Sequence, residues 1–302
     1  METILLTGAT GFVGDELRYQ LLRGRYRLVI LTRNPARYKE EHADNQKFIS
    51  WDDDWESELK GCKAVINLAG ESIFGQRWTR DVKKRIYNSR IETTRLLVNA
   101  IAALDEEKRP ELMISASAVG VYGDTGDQEI TEEASPGSDF LAEVCVEWEA
   151  EARHLEQSGV RLVIPRIGIV LEEGGGAIAQ MKTPFQLFAG GPVGSGKQYV
   201  PWIHRTDLCR FMEFALENEN CKGVYNLSAP NPVTMGQLAD ALGNAMHRPS
   251  WMKVPSFALK MAFGEAAGPI LNSTKAIPKK LQEEDFEFRF EEIHDAMNDI
   301  VS

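Results

Sequence analysis

The chain has 302 residues, and its 34 Lys and Arg against 45 Asp and Glu give a formal net charge of −11. So acidic a chain gains nothing from a phosphate polymer, which argues against nucleic-acid binding, and no apolar run approaches the ~18 residues of a membrane span. Four cysteines without a close pair and five dispersed histidines (42, 154, 204, 247 and 294) predict a reducing, cytoplasmic setting, with no disulfide framework and no metal site.

The first apolar run, 4–7, begins too near the N-terminus to leave room for a signal peptide. It reads as a strand and ends in Gly8-Ala9-Thr10-Gly11-Phe12-Val13-Gly14, after which an amphipathic pattern predicts a helix over 12–23. Further strands are predicted at 28–32, 48–50, 64–68, 112–117 and 160–165, and further helices at 79–104 and 139–158. This alternation predicts an α/β fold, a Rossmann-type doubly wound parallel sheet. Beyond Arg166 the texture changes. Glycine-rich loops at 174–176 and 189–196 precede a short return to strand at 224–227, and helical patterns with scattered prolines fill the last seventy residues. The expected organisation is a dinucleotide-binding domain of 1–166 plus 205–230, with a smaller C-terminal substrate lobe of 167–204 plus 231–302 over the sheet's C-terminal edge, where ligands of such sheets bind.

Each glycine of the first turn has a physical use. Gly8 suits a tight turn, Gly11 lets backbone amides approach a phosphate, and Gly14 lets the helix pack closely on the strand. The helix N-terminus adds partial positive charge facing a pyrophosphate. Thr10, Phe12 and Val13 complete the turn. The second strand ends in Thr32-Arg33, where an NAD site usually carries Asp or Glu for the ribose 2′-hydroxyl. A forked cation and a hydroxyl there suit a 2′-phosphate instead, so the expected cofactor is NADP.

Further along, Asn67-Leu68-Ala69-Gly70, Ser115 through Ser117 to Val121-Tyr122-Gly123, Pro165-Arg166-Ile167-Gly168 and Trp202-Ile203-His204-Arg205-Thr206-Asp207 complete a pattern. It resembles the extended short-chain dehydrogenase/reductase family, which includes the nucleotide-sugar epimerases. Glu71-Ser72-Ile73, Arg77-Trp78-Thr79, Ser89-Arg90, the loop from Gly190 to Tyr199 and the tail from Val254 to Leu281 narrow it to an atypical subgroup labelled "epimerase family protein", with a C-terminal domain of unknown function. The resemblance implies that Leu68, Ala69, Gly70, Glu71, Arg90, Ser115 and Arg166 join the cofactor site. It implies a small polar substrate, a nucleotide sugar among the candidates, and leaves open a homodimer through the two long helices or a protein partner.

Conventional members carry Tyr-x-x-x-Lys on the helix after the fifth strand, the tyrosine moving the proton and the lysine lowering its pKa. Here Phe140 and Val144 stand at those positions and, with Trp148 and Ala152, read as a packing row. Ser89, with Asn88 beside it, replaces the family's helix asparagine, and the family's serine falls at Ala118 with Ser117 adjacent. The remaining candidate proton-transfer groups are Ser117, Tyr122, Lys197 and Tyr199. Cys145 is a candidate nucleophile with no neighbour in sequence to activate it, and Glu71 and Arg77 read as pocket organisers. Two functions follow from the resemblance: an NADP-dependent oxidoreductase or epimerase, or an NADP-binding scaffold or redox-responsive regulator linked to cell division.

Overall fold

Strands carry the apolar alternation and helices the apolar stripes that the sequence announces. The computed structural model describes every residue except Arg25 and His42; the latter, one of the dispersed histidines above, therefore lies outside the described residues. In chain order the strands are β1 Thr3–Thr7, β2 Arg27–Leu31, β3 Gln46–Ile49, β4 Ala64–Asn67, β5 Leu112–Ser115, β6 Ser117–Ala118, β7 Glu129–Ile130, β8 Arg161–Ile167, β9 Ile169–Leu171, β10 Tyr199–Val200, β11 Trp202–His204, β12 Gly223–Leu227, β13 Val233–Thr234 and β14 Lys275–Ala276. The α-helices are α1 Phe12–Arg23, α2 Arg80–Ala102, α3 Phe140–Arg153, α4 Gly176–Gln186, α5 Arg205–Glu217, α6 Met235–Ala245, α7 Ser256–Phe263, α8 Gly268–Leu271, α9 Lys279–Glu283 and α10 Ile293–Val301.

The main sheet runs β12-β8-β5-β4-β1-β2-β3, with β6 pairing beside β8, and every pairing in it is parallel. The order reverses between β1 and β4, which opens a crevice at the strands' C-terminal ends. Alternate residues of each strand feed opposite faces. Ile4, Leu6, Leu28 and Ile30 pack with Leu17 and Leu21 of α1 and with Leu208, Phe211 and Met212 of α5. Leu5, Val29, Val65 and Met113 pack on the other face with Leu97, Val98 and Ile101 of α2. A separate core joins α4, α6 and α10 through Phe185, Leu242, Met297 and Ile300. Its buried members come from 171–202 and 229–300. Residues expected in the lobe also reach the sheet: Leu281, Phe286 and Phe288 join the first core, where the Phe286 ring meets Phe211 and Phe214 of α5 and Phe288 lies edge-on to Phe286.

Local differences from the sequence reading have local causes. The helix expected to reach 158 closes at Arg153, and 154–158 continue as tighter turns with bonds three residues apart. These lead into Gly159, whose φ is +81°. The strand expected over 112–117 is broken. Leu112–Ser115 pairs with β4 and β8, and Ser117–Ala118 pairs afresh with Arg166–Ile167. Helices α4 and α5 lie where the reading gives only glycine loops and a motif. Among the described residues no helix is long and apolar enough to cross a membrane.

Candidate functional site

The β1–α1 turn is built by close backbone approach. Gly8 has φ +71°, and a Cβ on it would lie 2.5 Å from the Leu68 carbonyl oxygen. A Cβ on Gly14 would lie 2.2 Å from the Gly8 oxygen, so glycine alone lets α1 start this near the strand. Gly11 caps α1 with extended backbone and no side-chain hydrogen bond. The first helical bond runs from Asp15 N to the Gly11 oxygen, and the amides of Phe12, Val13 and Gly14 ahead of it have no helical acceptor. Thr10, Gly11 and Phe12 line a cleft of about 440 Å³ with Gly174 and Arg205. The Phe12 ring lies under the Arg205 guanidinium, 5.1 Å from its centroid, and against Gly175, whose Cβ would come within 2.3 Å of that ring.

Asn67 anchors the neighbouring turn. Its buried amide accepts from Thr7 Oγ1 at 2.6 Å and donates to Thr94 Oγ1 at 2.9 Å, and its Oδ1 also receives Ala69 N. Thr94 in turn accepts from the Trp148 indole at 2.9 Å, tying α3 to α2 and β4. Leu68 and Ala69 are half-buried and Gly70 is exposed. The Glu71 amide donates to Ser89 Oγ, its carbonyl accepts from Arg90, and its carboxylate faces Arg85 at 3.6 Å. At the end of β2, Thr32 is half-buried and Arg33 exposed, and Arg33 has no hydrogen bond or ion pair among the described residues. Ser115 Oγ is buried at the C-terminal end of β5 with no hydrogen-bond partner among them either.

The uncapped amides follow β1, Arg33 follows β2 and the orphan Ser115 hydroxyl ends β5, so all three lie at the C-terminal end of the sheet, and they suit an anionic, hydroxyl-bearing ligand.

The expected proton-transfer candidates fare differently. Ser117 donates to Glu149 Oε1 at 2.7 Å. Tyr122 Oη donates to Asn226 Oδ1 at 2.7 Å and accepts from Arg166 Nη1 at 2.8 Å. Burial pushes the Tyr122 pKa up, and the Arg166 charge only partly offsets this. Arg166, expected beside the cofactor, is committed elsewhere: Nε and Nη2 grip Glu149 at 2.8 and 2.9 Å, and Nη1 also reaches the Glu132 carbonyl. Burial opposes its charge, but the Glu149 carboxylate outweighs that and raises its pKa. Lys197 is exposed, and Tyr199 lies under Lys275 Nζ at 5.2 Å. No side-chain hydrogen bond joins either to the Ser117–Tyr122 network among the described residues.

Phe140 meets Trp78 edge-on at 5.4 Å, and Lys83 Nζ lies 4.8 Å above its ring. Val144 is buried with Ile91, Ala116 and Trp148. The row read as a packing face is therefore a packing face. Cys145 is buried, and burial pushes its thiol up to about 12, so it is no nucleophile. Arg77 donates to the Met261 carbonyl at 3.0 Å and Lys83 pairs with Glu265, so the α7 region is tethered to the start of α2 and to the segment before it. Among the described residues no group of three or more His, Cys, Asp or Glu is placed to hold a metal.

Sequence reasoning missed Glu149 and Asn226, the acceptors that organise the buried network. A signal existed: Glu149 follows Cys145 by four residues on the buried face of α3, and a carboxylate there needs a cation such as Arg166.

A parallel sheet with this switch point, glycine turn and free cation defines a dinucleotide-binding protein. Residues 4–228 match the model of the NAD dependent epimerase/dehydratase family, and residues 254–300 match a domain of unknown function, DUF1731. The chain belongs to the NAD dependent epimerase/dehydratase family. It is 42% identical to the "Epimerase family protein SDR39U1 homolog, chloroplastic" of Arabidopsis thaliana, over 99% of this chain and 86% of that protein. It is 37% identical to the epimerase family protein YfhF of Bacillus subtilis, covering 99% and 98% of the two chains. A crystal structure of human epimerase family protein SDR39U1 (isoform 2) with NADPH superposes with a TM-score of 0.89 at 33% identity, covering 99% of both chains.

Proposed function

We propose that this chain binds NADP(H) and acts as an oxidoreductase or epimerase on a small polar substrate. The observation that carries the reading is Arg33, an exposed and unpaired guanidinium one strand away from the uncapped start of α1. In this reading the amides of α1 hold the pyrophosphate and Arg33, with Thr32, holds the 2′-phosphate. Leu68, Ala69 and Gly70 form the wall beyond Gly8. The human relative crystallised with NADPH supports the cofactor assignment.

When bound, the nicotinamide supplies hydride transfer. The chain's own part is to position the cofactor and exclude water. Phe140 and Val144 cannot move a proton, and the Ser117 and Tyr122 hydroxyls are held inside the Glu149–Arg166 network. In this reading a proton reaches the reacting centre from water, from a substrate hydroxyl, or from Lys197 or Tyr199, which lie outside the Glu149–Arg166 network. The same commitments favour a second reading, an NADP-binding scaffold or regulator.

Calorimetric titration tests the cofactor. NADPH is expected to bind roughly ten- to hundredfold more tightly than NADH, the worth of a charge-assisted hydrogen bond, and Arg33→Ala is expected to erase the difference. Equal affinities in the parent protein refute the reading. Turnover of NADPH with carbonyl and sugar-nucleotide panels separates enzyme from scaffold: retained binding with no turnover selects the scaffold. A cytoplasmic location and a homodimer belong to the same proposal. Leu96 on α2 and Val146 on α3 are exposed and mark the face where two copies would pair, which light scattering in solution tests.

A further inference from the structure

A charged couple faces the place where the family's acid is expected. Phe140 opens α3 behind Asp139, whose Oδ1 accepts from the Ala142 amide at 2.9 Å. The Phe140 ring is half-buried, and Lys83 Nζ of α2 lies 4.8 Å above its centroid. That Nζ donates to Glu265 Oε2, its one hydrogen-bond partner among the described residues. The C-terminal segment delivers Glu265. Gly264 ends α7 with φ +60°, a conformation glycine adopts without strain. Arg77 fixes the end of that helix through the Met261 carbonyl.

A cleft of about 560 Å³ opens at the same place, with Asp124, Ser256, Lys260, Glu265 and Asn272 in its lining. Two of these residues flank Phe140. Asn272 Nδ2 donates at 3.2 Å to Oδ2 of Asp139, the residue before it, and Glu265 meets Lys83 over its ring. Asp124 follows directly on Tyr122-Gly123. A small polar substrate in the cleft therefore has an ammonium, a carboxylate and an aromatic ring at one end. The Lys83 side chain is 28% exposed and that of Glu265 67%, so the couple is reachable, unlike the Ser117 and Tyr122 hydroxyls inside their network.

We propose that Lys83, positioned by Glu265, donates the proton to the oxygen of a carbonyl substrate held in this cleft against Phe140. The inference rests on the oxidoreductase reading above and adds to its proton sources a group beside the position the tyrosine vacates. The carbonyl carbon gains a hydride from NADPH, and the carbonyl π pair takes a proton from Lys83 Nζ. A C–H and an O–H bond form, and the N–H pair returns to nitrogen. The substrate is reduced to an alcohol, NADPH is oxidised to NADP+, and the neutral amine recovers its proton from water. Glu265 exchanges no proton; it is a positioning residue that holds the ammonium over the ring.

A first experiment on the full chain needs neither substrate nor cofactor. In Phe140→Tyr, with isotope-labelled tyrosine followed by NMR, the added hydroxyl is expected to titrate at lower pH with Lys83 present than with Lys83→Met added. A cation within about 4–6 Å favours the phenolate, and identical titrations overturn the placement. A second experiment follows NADPH consumption with glyceraldehyde, diacetyl and the sugar-nucleotide panel. Lys83→Met is expected to slow it roughly 10²- to 10⁴-fold, the worth of a general acid. Lys83→Arg keeps the charge and the tether but holds its proton, and is expected to be no faster. Should Lys83→Met fold poorly, Lys83→Gln takes its place. NADPH affinity is expected to stay unchanged in these variants. Recovery of the rate by Lys83→Arg reduces the couple to a tether and overturns the proposal. A parent protein that binds NADPH and reduces none of these carbonyls also overturns it, while leaving the cofactor reading intact. Failure of the parent protein to bind NADPH overturns both.

Discussion

Replacing Glu149 by Gln tests whether the buried Ser117–Glu149–Arg166 network is held by charge. The carboxylate accepts from Arg166 Nε and Nη2 at 2.8 and 2.9 Å and from Ser117 Oγ at 2.7 Å, with side-chain exposures of 9% for Arg166 and 6% for Glu149. Glutamine keeps the shape but sets an NH2 donor against guanidinium donors and leaves the Arg166 charge uncompensated. Removing one partner of a buried pair costs about 3–5 kcal/mol. At about 2.1 cal/mol/K of unfolding entropy per residue over 302 residues, each kcal/mol moves the melting temperature by about 1.6 °C. The midpoint is therefore expected to fall by about 5–8 °C. Thermal melts followed by circular dichroism measure it. The double variant Glu149→Leu with Arg166→Met removes both charges and is expected to regain much of the loss, because a buried pair often contributes little beyond its apolar equivalent. An unchanged midpoint for Glu149→Gln refutes the reasoning, as does a double variant less stable than the single one.

Gly14→Ala places a methyl 2.2 Å from the Gly8 oxygen and 2.6 Å from Ala9 Cα, both backbone atoms, so α1 must shift; NADPH binding is expected to be lost in titrations that still register a folded chain. Val144→Lys buries an ammonium at a position 2% exposed and is expected to lower the urea midpoint without creating proton-transfer activity, since Phe140 still stands where an acid would be. The thiols of Cys62, Cys145 and Cys209 are pushed up to about 12, and that of Cys221 to about 11, by burial, from an ordinary value of 9.0. Raised thiol values mean that the native state resists thiolate formation. Stability from this source is thus complete below pH ~9 and lost as pH rises from ~9 to ~12. Urea titrations across that range are expected to show falling stability, and a thiol reagent at pH 8 is expected to label no cysteine until the protein is unfolded.

Much of the fold was readable because parallel sheets write themselves as short apolar runs separated by amphipathic helices. The predicted strands at 4–7, 28–32, 48–50, 64–68, 160–165 and 224–227 match β1, β2, β3, β4, β8 and β12 to within two residues at each end. The glycine turn was equally legible, since Gly8, Gly11 and Gly14 answer to local backbone geometry. Helices α4 and α5 were not. Glycines surround the first and a proline interrupts it, and the second follows directly on a short buried strand, so neither announces its start.

The side-chain partnerships were hidden for a different reason. Arg166 and Glu149 are 17 positions apart, Tyr122 and Asn226 are 104 apart, and both pairs meet only after the sheet has formed. The sequence by itself determined a strand–turn–helix suited to a pyrophosphate, a cation where NAD sites carry an acid, and the loss of the tyrosine–lysine pair, because each depends on residues close together along the chain. Only the tertiary structure decided which polar groups are spent inside the molecule and which remain free. Arg33 keeps its donors to offer, whereas the Ser117 and Tyr122 hydroxyls and most of the Arg166 guanidinium are taken up by partners inside the molecule, because a buried polar atom without a partner is costly.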